Sequence, residues 1–216
     1  MNQKSAFWEA LIITIFVFGI GIMIGISYEG NKLEEINNYY ALSEISMVDS
    51  LALNSLSDTG IATCSSLTNS SLVFADRIYE EAFLLEKFEE SGKFSDSLKI
   101  SHRKYDLLRT LLWTNLIKIS EKCPEAPDVV VYLYEYNTED LAKKATNLVW
   151  SRILFDLKQE EGNKIVLIPI AADSNLASLD SIKQRYGINH YPTVVINQKQ
   201  IITQITSVDD LKIYLK

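Results

Sequence analysis

Positive charge is in deficit: 21 lysines and arginines stand against 28 acids over 216 residues, a formal charge of −7. An acidic chain offers a phosphate backbone no electrostatic attraction, so no nucleic-acid partner is expected. No block of basic residues adjoins the one long apolar run, which removes the usual attraction to anionic lipid headgroups. Cysteine is nearly absent, with only Cys64 and Cys123. Their separation rules out a Cys-x-x-Cys pair. No run of histidine, cysteine and acids at ligand spacing stands out, so no metal, no cofactor and no catalytic residue is expected. Low-complexity tracts and internal repeats are missing too.

What is present begins with an apolar run. Ala10 to Ile26 reads ALIITIFVFGIGIMIGI, without a charge and with Thr14 as its only hydroxyl. About 20 apolar residues span a hydrocarbon core. Counting Ala6, Phe7, Trp8 and Tyr28, the run reaches that length, and Trp8 and Tyr28 bracket it as interfacial aromatics do. Glu9 then falls at the interface. The rival is a cleaved signal peptide, whose apolar region would be about 7–15 residues followed by a small-x-small site. Gly25-Ile26-Ser27 matches such a site only faintly, and a retained membrane anchor over residues 6–28 is the expectation. Lys4 and the amino terminus precede the run, whereas Lys32 follows among Glu29, Glu34 and Glu35. That bias predicts a single-pass protein of the cell membrane, N-terminus cytoplasmic and body extracytoplasmic. Gly21 and Gly25 form a GxxxG, a spacing that lets two helices approach as a homodimer, although glycine is common in membrane helices anyway.

Residues 29–124 read as a helical segment between the anchor (1–28) and a C-terminal domain (125–216). From Asn31 to Ser57, Leu33, Ile36, Tyr40, Met47 and Leu51 form a narrow helical stripe, broken at Asp58-Thr59-Gly60. A second helix is expected over Leu72–Glu90, through Phe74, Ile78, Tyr79, Ala82, Phe83, Leu85 and Phe88. Ser91-Gly92-Lys93 would close it. A third, capped by Ser95 or Asp96, runs to about Ser120 and buries Leu98, Tyr105, Leu108, Leu112, Ile117 and Ile119. Pro124 and Pro127 end it. His102, beside Arg103 and Lys104, is expected on a solvated helix face.

The C-terminal segment alternates strand and helix. Asp128–Tyr136 (DVVVYLYEY) is apolar on both faces, as a central strand is. Thr138 is placed as the N-cap of a helix whose stripe runs from Leu141 to Leu157, ahead of Gly162 and Asn163. Lys164–Ala171 is a second buried strand, and Leu176–Tyr186 a short helix closed by Gly187. Thr193–Asn197 and Gln200–Thr206 form a hairpin around Gln198 and Lys199. Ser207 caps a last helix. The order β-α-β-α-β-β-α predicts a mixed four-stranded sheet with helices on both faces.

This order, with Gly187 followed by Tyr191-Pro192-Thr193 and an apolar strand, resembles the thioredoxin family over residues 125–216. The resemblance implies an α/β thioredoxin-like domain with a cis-proline loop at Tyr191, Pro192 and Thr193. It also implies a Cys-x-x-Cys at the start of the first helix, and here the chain departs. Thr138 and Leu141 fall at those two positions. Neither side chain can supply a thiolate, and Glu139 and Asp140 would oppose one. Dithiol redox activity at the family site is therefore not expected.

In an oxidising compartment Cys64 and Cys123 are expected to form one disulfide, two separate buried thiols being the alternative. Asn69-Ser70-Ser71 is an N-x-S/T sequon in a stretch that reads as a loop, so Asn69 is a possible glycan acceptor in a cell that modifies exported chains. The function these readings imply is a membrane-anchored, redox-inactive thioredoxin-like module that binds a protein or peptide partner or serves in an envelope complex. One alternative is a thiol-disulfide oxidoreductase or folding factor using Cys64 and Cys123. A weaker one is a pilin-like assembly subunit, from the faint likeness of Ser5–Glu9 to pilin N-termini.

Overall fold

A computed structural model describes residues 3–90 and 96–216, with the side chains of residues 3–6, 28, 29, 31–33, 35, 36, 82–90 and 96–98 outside the description. The helix stop at Ser91-Gly92-Lys93, the cap at Ser95, and the side chains of Ala6, Tyr28, Leu33, Ile36, Ala82, Phe83, Leu85, Phe88 and Leu98 lie outside the described residues. The chain forms two compact units, Met1–Tyr39 and Tyr40–Lys216.

The first unit is helical. Helix α1 spans Gln3–Ser57, so the apolar run and the helical segment expected to follow it belong to one element. Gly30 and Asn31 fall between them, and a glycine costs a helix only about 1 kcal/mol where a proline would break it. Phe7–Ser27 is long and apolar enough to cross a membrane, and none of it is buried within the structure. Thr14 donates to Ala10 O at 2.8 Å, which pairs its hydroxyl within the helix. A Cβ at Gly21 or Gly25 would meet nothing, so that face is open.

In the second unit α1 runs from Tyr40 to Ser57 and the chain turns at Gly60, whose φ is +77°. Helix α2 is Cys64–Glu90, beginning eight residues before the expected Leu72. Thr63 and Ser66 explain the early start: Ser66 N donates to Thr63 Oγ1 at 3.2 Å and Thr63 N to Ser66 Oγ at 3.1 Å. That reciprocal pair is a capping box built from hydroxyls. Helix α3 is Asp96–Lys122. Its buried side includes the expected Tyr105, Leu108, Leu112 and Ile119, joined by Trp113, Leu116, Asp106, Arg109 and Asn115. Ile117 is only partly covered.

Four strands follow: β1 (Asp128–Tyr134), β2 (Ile165–Ala171), β3 (Thr193–Ile196) and β4 (Gln200–Ile202). The sheet order is β2-β1-β3-β4. β1 pairs parallel with β2 and antiparallel with β3, which pairs antiparallel with β4. The sheet is thus mixed, as expected, but β1 stops at Tyr134 rather than Tyr136 and β4 at Ile202 rather than Thr206. The β3–β4 turn places Asn197 and Gln198 at φ of 50° and 57°, the left-handed pair that suits a tight hairpin. Helix α4 is Leu141–Glu161, α5 Ala177–Tyr186 and α6 Val208–Lys212. Gly187 closes α5 at φ 66°, and Ser207 caps α6 in a capping box with Asp210.

Strand alternation sends Val130 and Tyr132 of β1 to one face, where they pack with Trp150, Leu154 and Leu157 of α4 and Leu211 of α6. Val129, Val131 and Leu133 take the other face, and α3 packs against β1 and β2. Helix α2 also lies against β2, the edge strand that carries Pro169. Helices therefore cover both faces.

Candidate functional site

At the ends of β1 and β2, and where β3 begins, three loops meet. The register pairs Leu133 with Thr193, which sets Pro192 and Tyr191 beside Tyr134 and Glu135 at the same end of the sheet. The Tyr191–Pro192 peptide is cis. Pro192 and Thr193 are buried, and Thr193 Oγ1 donates to His190 O at 2.5 Å. Lys183 Nζ stands 5.8 Å from the Tyr191 ring centroid, a cation over an aromatic face.

Asp173, just past β2, holds the β1–α4 loop. Its carboxylate accepts from Tyr136 N at 3.0 Å and from Asn137 N at 2.9 Å, while Ala172 N donates to Tyr134 O at 2.7 Å. The loop is also held from the helical side. The Tyr136 ring stacks on His102 at 3.9 Å with 28° between the planes. His102 Nδ1 lies 3.3 Å from Asp106 Oδ2, and Asp106, fully buried, accepts from Ala171 N at 3.1 Å. Arg103 donates to Asn175 O at 2.7 Å and Lys183 to Ala172 O at 2.8 Å. Helices α3 and α5 thus pin the two loops that leave β1 and β2.

Two sequence expectations change here. His102 is not on a solvated face: its side chain is 13% exposed and packed between Asp106 and Tyr136. Its i,i+4 spacing to Asp106 was the available signal, since residues four apart share a helix face. Nor is Thr138 the N-cap of α4. Asp140 is, accepting from Ala142 N at 2.8 Å and Lys143 N at 3.3 Å. Thr138 Oγ1 instead accepts from Asp140 N at 3.3 Å, so it shapes the approach to the cap. The shorter helix follows because a carboxylate adds charge to the cap hydrogen bonds at the positive helix end. Nearby, Glu135 binds Lys143 Nζ at 2.6 Å and holds that ammonium above its usual pKa.

Leu141 opens α4 and is 79% exposed. Asp140 already fills the helix terminus. The surface of the site combines an exposed leucine, a tyrosine under a lysine, and a buried proline, with no sulfur among residues 134–141 and 190–193. Among the described residues no three or more histidines, cysteines and acids could hold a metal ion.

Both cysteines lie elsewhere. Cys64, at the first turn of α2, is bonded to Cys123, just past α3, with Cα atoms 5.5 Å apart. Cys123 is buried with Leu67, Ile119 and Ala126. Asn69 is exposed, but it lies inside α2 rather than in a loop, and Ser71 of its sequon is buried. A sequon suits a surface loop, and this one is wound into a packed helix.

No protein-family model, no curated protein and no solved structure matches the chain.

Proposed function

We propose that the chain is a membrane-anchored, thioredoxin-like interaction module that binds extended polypeptide beside Tyr191 and Pro192 without dithiol chemistry. One observation carries this reading. The β1–α4 loop and the Tyr191–Thr193 segment share one end of a mixed sheet, and no cysteine lies among residues 134–141. The element order β-α-β-α-β-β-α supports the family resemblance. The anchoring is supported by the apolar Phe7–Ser27 stretch, and the extracytoplasmic placement by the bridged cysteines, since disulfides persist in oxidising compartments. An extended peptide gains main-chain hydrogen bonds where it adds to a sheet and selectivity from neighbouring side chains. Leu141 and Tyr191 supply such side chains.

The test is site-specific photocrosslinking in intact membranes. A photoreactive residue replacing Tyr191 or Leu141 should capture polypeptide, whereas one replacing exposed Lys199 on the β3–β4 turn should not. Equal capture at all three positions, or none at Tyr191 and Leu141, sinks the proposal.

A further inference from the structure

Between Tyr40 and Ser57, α1 buries a mixed polar and apolar side and exposes an apolar one. The side it buries carries Ser43, Met47, Ser50 and Asn54. The polar three are satisfied within the unit: Ser43 Oγ donates to Glu81 at 2.6 Å, Asn54 to Asn115 at 2.8 Å, and Asn115 to Ser50 at 3.1 Å. The opposite side is apolar and open. Leu42, Ile45, Val48 and Leu56 are 53%, 66%, 59% and 41% exposed. Ala41 and Ala52 lie among them, exposed as well. A helix on a water-soluble body normally turns such a stripe inward.

We infer that this outward face of α1 packs against the same face of a second copy of the chain. The inference rests on the membrane-anchored reading above. The face is about four turns long and one helix wide, on the order of 200 Å². A stable complex between freely diffusing partners takes about 800 Å² from each. The strip is therefore too small to hold a partner that must be captured from solution. It suffices for one already confined at high effective concentration, and a copy carrying the same anchor meets that condition. The spacing fits as well. Ala41, Ile45, Val48 and Ala52 follow the alternating four- and three-residue steps of a two-helix seam. Positions 43, 47, 50 and 54, committed to the unit's own interior, lie on the far side of the helix. Small residues at two of the four seam positions allow close approach. Asp49 stands at the seam's edge, and a two-fold pair brings it near its own equivalent. Like charges there weaken the contact and make the pair reversible.

The experiment uses the full chain in phosphatidylcholine vesicles at high lipid excess, with the Cys64–Cys123 bridge intact. One extra cysteine is introduced as Ile45→Cys, Val48→Cys or Ala52→Cys, with Gln159→Cys on α4 as control. Mild oxidation should give covalent dimers at the three α1 positions at roughly ten times the control yield, a preference worth 1.4 kcal/mol. Asp49→Asn should raise the dimer fraction about twofold, the size of an exposed like-charge contact. Ile45→Lys should abolish crosslinking through Ala52→Cys. Vesicle flotation is scored on the same samples. A chain that floats but crosslinks no better at α1 than at Gln159→Cys overturns the paired face and leaves the anchor reading intact. A chain that fails to float overturns the anchor and, with it, the confinement the pairing needs. In native membranes, α1 crosslinks to a different protein and none between copies would assign the face to that protein and overturn the pairing.

Discussion

The Tyr40–Ser57 part of α1 with α2 and α3, and the sheet with α4–α6, bury different chemistry within one compact unit. Among the described residues, ten buried polar or charged side chains fall between Ser43 and Asn115, whereas Asp128 and Thr193 are the pair from Asp128 onward. The sheet half rests on area: Val130, Trp150, Leu157 and Ile196 are covered completely and meet other hydrocarbon or aromatic groups. The helical half adds to its apolar core a set of matched polar partners, Ser43 with Glu81, Asn54 with Asn115, and Asp106 with Ala171 N. Apolar packing tolerates many arrangements of the right volume. A buried hydrogen-bonded group tolerates few, because losing its partner leaves it desolvated and unpaired. The helices are thus set in place by chemistry that punishes error, and α1 keeps a second apolar side outward.

The sharpest way to break this contrast is Asp106→Ala. Asp106 receives Ala171 N, faces Arg109 at 3.4 Å and His102 at 3.3 Å, and is fully buried, while the Arg109 side chain is only 7% exposed. Removing it strands a buried guanidinium, and we expect a loss of roughly 3–5 kcal/mol in urea unfolding of the full chain in detergent. A double change, Asp106→Leu with Arg109→Met, should recover much of that loss, since well-packed apolar residues often replace a buried ion pair without penalty. If the single change is mild, the polar half is not held by its partners and the contrast fails.

Next in size is the disulfide. Cys64 and Cys123 are 59 residues apart, and removing such a bridge should cost about 2–4 kcal/mol. The contrast predicts where: amides of α2 and α3 should exchange faster in Cys64→Ala/Cys123→Ala, with β1 and β3 amides changed least. Uniform acceleration across both halves would mean that the bridge stabilises the unit as a whole.

Glu81 tests the polar half by pH. Burial pushes its carboxyl pKa up from 4.5, against the opposing hydrogen bonds from Ser43 and Tyr105 and the charge of Arg77. A folded pKa above the unfolded one means that the native state binds the proton more tightly. The favourable contribution is present at acid pH and is lost as pH rises through the folded pKa. Glu81→Gln should therefore stabilise the protein at pH 8, by less than the bridge contributes, and flatten the fall in stability above pH 4.5. An unchanged pH profile would show that Glu81 is solvated in solution.

The two halves also differ in how far the sequence exposes them. In the sheet half, apolar runs, Gly187, the Ser207 cap and the order of elements are all legible, because strand interiors and turn residues leave local signatures. In the helical half, the stretch around Asn69-Ser70-Ser71 reads as a loop, since a hydroxyl-rich stretch suggests turns unless its capping geometry is known. The stripe expected on α1 does face inward at Met47, Tyr40 and Leu51, but Ser43, Ser50 and Asn54 share that side and look solvent-facing until Glu81 and Asn115 are seen opposite them. At the candidate site, Tyr191, Pro192 and Thr193 could be found from sequence. Asp173 and the His102–Tyr136 stack could not, because they join segments far apart in the chain.

The smallest expected effect separates the two residues at the mouth of α4. Asp140 accepts from Ala142 N and Lys143 N, whereas Thr138 accepts a single bond from Asp140 N. Losing an N-cap side chain costs about 1 kcal/mol, and a surface change away from such a feature stays within about 0.5 kcal/mol. Asp140→Ala should therefore lower the urea midpoint measurably while Thr138→Ala barely moves it. The pair also bears on the site. Without the Asp140 carboxylate, the first amides of α4 are free to bind an added anion, so sulfate should stabilise Asp140→Ala more than the parent chain. Equal sulfate effects would show that Asp140 does not occupy the helix terminus, and would reopen the question of what that terminus binds.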